Sequence, residues 1–265
     1  MTVLPKTTAH TALLSKTAPR AAFGNLVRNE ARLAWRLPAG LIFGFAVSLL
    51  LLIVFGELPS FHKPQPELGG LTTFDVYVPI LICLVIAILA LISLPAALVS
   101  YRVQGVLRRL SVTPVPPSWV LAAQLVVQFC LAVITLVTLV VVAITAFGLP
   151  VPKNPGGLIL ASLLSIAALF AIGLSIAAAA RSEIAGRVIG GGTLYPLLFF
   201  AGMWLPREMM PAAILAISNY TPLGASVEAM QDSMQGQFPP AAALLVLAGY
   251  AVVFGFVARR FFRWE

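Results

Sequence analysis

Charge is in short supply. The 265 residues hold nine Asp and Glu against seventeen Lys and Arg, with two His. Charged residues make up 10% of the chain, where a soluble domain carries about 25%. That scarcity excludes a disordered chain, which would be polar and charge-rich. The formal charge of +8 would suit a nucleic-acid binder, but a basic binding face does not come with long uncharged runs, so no nucleic-acid partner is expected. The two cysteines, Cys83 and Cys130, both fall in apolar runs. They read as small buried apolar residues rather than a disulfide framework. None of the four lysines follows the glycines of a GxxxxGK[ST] phosphate loop, so ATP is not bound here by that route. HExxH, GxSxG and paired carboxylates at membrane depth are also missing. His10 and His62 have no partner nearby in sequence for a metal. Neither catalytic nor metal-binding residues are expected.

What is abundant is apolar sequence. Mean hydropathy is +1.00 and 60% of residues are hydrophobic. A bilayer core about 30 Å thick needs roughly 20 apolar residues as helix. Six runs without Asp, Glu, Lys or Arg approach or exceed that length: Pro38–Gly56, Val76–Tyr101, Ser118–Leu149, Gly157–Ala180, Val188–Leu205 and Pro239–Ala258. The runs are continuous rather than alternating, which favours helices over a barrel. The expected fold is an all-α polytopic membrane protein of six spans.

The bases give orientation. With the amino terminus inside, the outer loops keep only Lys63, Lys153 and Arg207, and the other fourteen of the seventeen bases fall inside. Basic loops stay cytoplasmic, so both termini are expected there, in the cell's inner (plasma) membrane. Residues 1–20 read as a flexible cytoplasmic tail, 21–37 as an amphipathic interfacial helix, and 38–265 as the six-span domain.

In the interfacial stretch, Phe23, Leu26, Val27, Ala31, Leu33, Ala34 and Leu37 fall on one side and Asn25, Arg28, Asn29, Arg32 and Arg36 on the other. A basic amphipathic helix of this kind lies flat on the membrane, with Trp35 as an aromatic anchor. Glu30 breaks the apolar stripe. It is either a snorkelling, locally solvated acid or one half of an ion pair to another segment.

The inner loop between the second and third runs reads YRVQGVLRRLSVTPVPPSW. Arg102–Leu110 can form a short helix, stopped by Pro114, Pro116 and Pro117. Between the fourth and fifth runs, Arg181, Glu183 and Arg187 either form salt bridges near a cytoplasmic partner or mark topology. In the third run, Gln124, Gln128, Thr135, Thr138 and Thr145 share a sector of about 100°. Such a stripe serves helix packing or lines a path for an uncharged or amphipathic substrate, together with Tyr195 of the fifth run. No span carries an acidic or basic side chain (Asp, Glu, Lys, Arg or His), which disfavours ion-coupled transport. Small residues in the fourth run, including Gly173, and Gly186, Gly190, Gly191 and Gly192 in the fifth suit close helix packing.

Arg102, Gly105, Leu107, Leu110, Thr113 and Pro114, followed by Leu121 and Leu125, resemble the permeases of type-2 ABC exporters. Gly202, Pro206, Met210, Pro211, Ile217, Pro222, Leu223 and Ala229 resemble the outer re-entrant segment of the same family. The nearest look is to daunorubicin-type antibiotic and multidrug resistance permeases. The resemblance implies that Arg102, Gly105, Leu107, Arg108, Arg109 and Leu110 form a coupling helix on an ATPase, with Glu30 and Glu183 nearby. Many relatives carry Glu two residues before the loop glycine; Val103 stands there, so no Glu-based contact is implied at that position. It also implies an outer gate containing Met203, Trp204, Met209 and Met210, for which an interfacial loop packed on the headgroups is the alternative. Two copies of a separate ATPase chain, holding ATP and Mg, a second permease copy or paralogue, and membrane lipid are the implied partners. The function implied is ATP-driven export of a hydrophobic or amphipathic drug-, antibiotic- or lipid-like substrate. Export of a lipid-linked glycan or native lipid, and a non-transporting sensor or scaffold, are the alternatives.

Overall fold

The structure, a computed structural model, describes residues 18–36, 39–105 and 118–261. Nine α-helices run through them: α1 Ala18–Arg36, α2 Ala39–Glu57, α3 Thr73–Val103, α4 Ser118–Phe147, α5 Pro155–Ala179, α6 Glu183–Ala201, α7 Ala212–Asn219, α8 Pro222–Gln235 and α9 Ala241–Phe261. Among the described residues the only extended pairing is a single bridge, Pro64 with Thr72. Five helices, α3, α4 (from Trp119), α5, α6 and α9, are long and apolar enough to cross a membrane; Gly44–Glu57 within α2 is a shorter apolar stretch.

The centre of the bundle is α3. Nearly every residue from Phe74 to Leu91 is buried, whichever way its side chain points. A helix apolar all round belongs in a core, and α2, α4, α5, α6 and α8 surround it. Thr72 caps its start: the hydroxyl accepts from Asp75 N–H at 3.1 Å, and the Asp75 carboxylate accepts from Thr72 N–H at 3.0 Å. This reciprocal box satisfies two otherwise orphaned donors. Helices α2 and α4 bury one stripe each. In α2 it is Gly44, Ser48 and Leu52, four residues apart. In α4 it runs Val120, Ala123, Val127, Ala132, Thr135, Leu139 and Ala143, while Phe129, Ile134, Val137 and Val141 face outward.

Helix ends depart from the apolar runs in two informative places. The fifth run was expected to reach Leu205, but α6 stops at Ala201 because Gly202 turns left-handed (φ 94°) and closes the helix on Leu198 and Phe199 carbonyls, a glycine C-cap. It also starts earlier, at Glu183, under a Ser182 cap that accepts from Ala185 N–H at 3.1 Å. In the inner loop, Arg102 was expected to open a separate short helix. Instead α3 continues through Val103 and turns at Gly105 (φ 67°). The remainder of that expected coupling helix, including Leu107, Arg108, Arg109 and Leu110, lies outside the described residues.

Candidate functional site

The C-terminal end of α3 gathers three elements. Of α1, Phe23, Leu26, Val27 and Glu30 are half-buried while Asn25, Arg28, Asn29 and Arg32 are exposed, the i, i+3, i+4, i+7 face of an amphipathic helix. Ala31 and Leu33, read as part of the apolar side, are exposed. Phe23 meets Trp119 of α4 edge to face, ring centres 5.9 Å apart. Glu30 accepts a hydrogen bond from the Tyr101 hydroxyl at 2.5 Å. The acid is partnered, but by a phenol hydrogen bond and not by the ion pair expected of it. Burial pushes the Glu30 carboxyl above its ordinary range, and the Tyr101 bond draws it part of the way back.

The next residue, Arg102, reaches the opposite way. Its guanidinium donates to the Ala180 carbonyl, which closes α5. A cation at a helix C-terminus meets both an unpaired carbonyl and the negative end of the dipole. Adjacent residues therefore join α3 to α1 and to the end of α5, immediately before the chain turns at Gly105. Glu183 sits in the first turn of α6, where a carboxylate suits the positive end of a helix, and no base among the described residues is within ion-pair distance of it.

Near the N-terminal end of α3 lies a polar cluster that the sequence did not reveal. Arg207, read in the sequence as one of three loop bases, is 5% exposed. It donates to Ser218, to Asn219 Oδ1 at 2.7 Å and to Glu228 Oε2 at 3.1 Å. Ser218 in turn donates to the Phe200 carbonyl at 2.5 Å. The cluster thus ties the segment after α6 to α7 and α8. Burial lowers the guanidinium's pKa, against the pull of the Glu228, Glu208 and Asp232 carboxylates. Burial also raises Glu228 and Asp232, each opposed by Arg207. A buried arginine needs partners, so its presence in an apolar stretch was the available clue.

The short helix α8 is buried among α3, α5, α6 and α9. Leu223, Ala225, Val227, Ala229 and Met230 are fully enclosed. One end rests beside the middle of α9, where Tyr250 hydroxyl donates to Tyr220 carbonyl at 3.2 Å. The other is tied to the start of α5 by Asn154 N–H to Ser233 carbonyl at 3.1 Å. At 1.5 Å per residue its fourteen residues span about 21 Å. Of the expected gate residues, Met210 is buried, Met203 half-buried, and Trp204 and Met209 exposed.

The expected path residues do not share one surface. Gln124, Gln128 and Thr135 are buried within the chain. Thr138 and Thr145 turn their hydroxyls back to Ile134 and Val141 carbonyls, at 2.8 and 2.7 Å. Tyr195, on α6, is 64% exposed. A separate cavity of about 370 Å³ opens between α5, α6 and α9, walled by Ile172, Ser175, Ile189, Thr193, Tyr250 and Phe254. Its hydroxyls are already engaged: Ser175 with the Phe254 carbonyl at 2.9 Å, Thr193 with the Ile189 carbonyl at 2.9 Å, and Tyr250 as above. The wall offers a ligand apolar contact and no free donor.

Comparison with known proteins adds one finding. Residues 21–234 match the family model described as ABC-2 type transporter. No curated protein matches the chain. The matched stretch runs from the start of α1 to the end of α8 and takes in both the Glu30–Tyr101–Arg102 junction and the Arg207 cluster. The chain therefore belongs to the ABC-2 type transporter family, as a membrane permease component that is not itself catalytic and whose kind generally works with an ABC ATPase.

Proposed function

We propose that the chain is the permease of an ATP-driven exporter for hydrophobic or amphipathic molecules, of the daunorubicin-type, multidrug class. Two copies, or one copy with a paralogue, enclose the path, and two ATPase chains supply ATP and Mg. The ATPase docks on the cytoplasmic side under α1 and the loop that begins at Arg102 and Gly105, with α2 as the first of six spans. The α7–α8 pair dips into the membrane from outside as a re-entrant lid, with Met203, Trp204, Met209 and Met210 at the outer gate.

The observation that carries this reading is the junction at the end of α3. There Tyr101 and Arg102 bind α1 and the end of α5, immediately before, in sequence, the loop expected to receive the ATPase, so that displacement of that loop would be felt by three helices together. The apolar wall of the α5–α6–α9 cavity supports an apolar substrate, since a polar one would lose hydrogen bonds there without replacement.

The test is co-expression with candidate ABC ATPases, followed by affinity capture and export assays in vesicles. An ATP-binding chain should accompany the tagged permease and drive ATP-dependent accumulation of an amphipathic dye. A permease that purifies without an ATPase and moves no dye would overturn the reading.

A further inference from the structure

Part of the way down, α3 changes its hydrogen-bond register. Over Leu89–Ser93 it is a π-turn, in which Leu94 N–H reaches back five residues to the Leu89 carbonyl. Pro95 follows at once. Proline has no N–H. The Ala90 carbonyl in π register and the Leu91 carbonyl in α register would both take their donor from this one position, which has no N–H to give. Ala90 and Leu91 are fully buried, where an uncovered carbonyl is costly.

The cover comes from two other helices. A Cβ at Gly173 of α5 would overlap the Ala90 carbonyl oxygen, and a Cβ at Gly190 of α6 would overlap that of Leu91. Bare Cα–H groups therefore face the two oxygens, contacts of the weak Cα–H···O kind. Backbone lies on backbone there, and no side chain from either glycine interlocks with α3. The Ser93 hydroxyl, in the same turn, is buried and has no hydrogen-bond partner among the described residues.

Below the turn, Leu94–Val103 ends in the Tyr101–Glu30 and Arg102–Ala180 contacts. That lower segment is thus held by side-chain hydrogen bonds at its far end and by packing alone at its near end.

We propose that the π-turn at Leu89–Ser93 is a hinge, set by Pro95 and borne on Gly173 and Gly190, about which Leu94–Val103 bends relative to the upper part of α3. The hinge rests on the permease reading and adds to it the place in the chain that takes up the motion of the cytoplasmic side. Here α3 lacks the longitudinal hydrogen bonds that stiffen it elsewhere, and such interruptions are where helices kink. The two glycines act as positioning residues, offering a smooth surface on which the freed carbonyls can slide.

The test is Pro95→Ala, which restores the missing donor and lets the helix run straight. In the purified permease alone, amide hydrogen exchange over Leu91–Val99 should be faster than over Val78–Ile88 in the wild type, and Pro95→Ala should slow it several-fold. Equal exchange in the two proteins would overturn the hinge whatever the ATPase does. In the complex with its ATPase, Pro95→Ala should hydrolyse ATP but export several-fold less dye per ATP than wild type. Wild-type coupling in Pro95→Ala would also overturn the hinge, whereas a wild-type complex that exports nothing counts against the permease reading and leaves the exchange result to decide the hinge. Gly190→Ala should impair export in the same way. If it fails to fold, Pro95→Ala still decides the matter.

Discussion

The Tyr101 hydroxyl donates to the Glu30 carboxylate at 2.5 Å, joining α1 to the last turn of α3. Removing that hydroxyl alone, with Tyr101→Phe, leaves the ring and takes away a hydrogen bond to a charged acceptor, a kind that contributes about 1.5–3 kcal/mol. Docking of α1 should weaken by an amount in that range. The Phe23–Trp119 contact provides the readout: with the other three tryptophans replaced by Phe, Trp119 emission should shift to the red in Tyr101→Phe.

The same acid gives a pH dependence whose sign is fixed. Because the folded carboxyl is held above its ordinary range, the folded state binds that proton more tightly than the unfolded state. Its contribution is then fully present below the ordinary glutamate pKa of about 4.3 and is lost as pH rises through the higher folded value. Thermal stability in detergent should fall across that window in the wild type. Glu30→Gln keeps an oxygen to accept from Tyr101 but does not titrate, so its stability should be flatter over the same pH range. An unchanged slope would show that another group is responsible.

Arg207 and Glu228 lend themselves to a double-mutant cycle. Arg207→Met leaves the Glu228 carboxylate without its base, and breaking a buried pair from one side costs about 3–5 kcal/mol. Glu228 keeps 29% of its side-chain surface exposed, which puts the expected loss at the low end of that range. Glu228→Gln should cost less, because the guanidinium retains Ser218 and Asn219. The double variant should be more stable than Arg207→Met alone, as measured by thermal unfolding. Strictly additive losses would mean that the two side chains do not depend on each other.

Much of this architecture is legible in the sequence because a bilayer demands long uncharged runs, and those runs coincide with helices. The stripe on α1 is also legible, and Glu30 stands out in it because an acid there needs a reason. The partner could not be read. Tyr101 sits 71 positions away, and its hydroxyl looks in sequence like any aromatic at a membrane boundary. The Arg207 cluster was hidden for a related reason: counting bases by side assigns them to solvent, while Ser218, Asn219 and Glu228 approach only once α7 and α8 fold back. The π-turn leaves a faint trace, Pro95 inside an otherwise unbroken apolar run. The glycines that cover its carbonyls were visible as small residues, but their target was not.

Gln128 separates packing from transport in the third run. It is 3% exposed, and its Oε1 has no hydrogen-bond partner among the described residues. A buried acceptor left unpaired costs about 1–3 kcal/mol, and replacing it with an apolar group of similar shape can be neutral or stabilising. If the side chain only packs α4 against its neighbours, Gln128→Met should raise the melting temperature and leave dye export per ATP unchanged. If it lines the path, the same substitution should change export or dye preference regardless of its effect on stability. Its burial inside a single chain favours the first outcome. Thr138, whose hydroxyl is already bound to its own helix, is the control: Thr138→Val should alter neither stability nor export, and any change in export there would bring the polar stripe back as a lining.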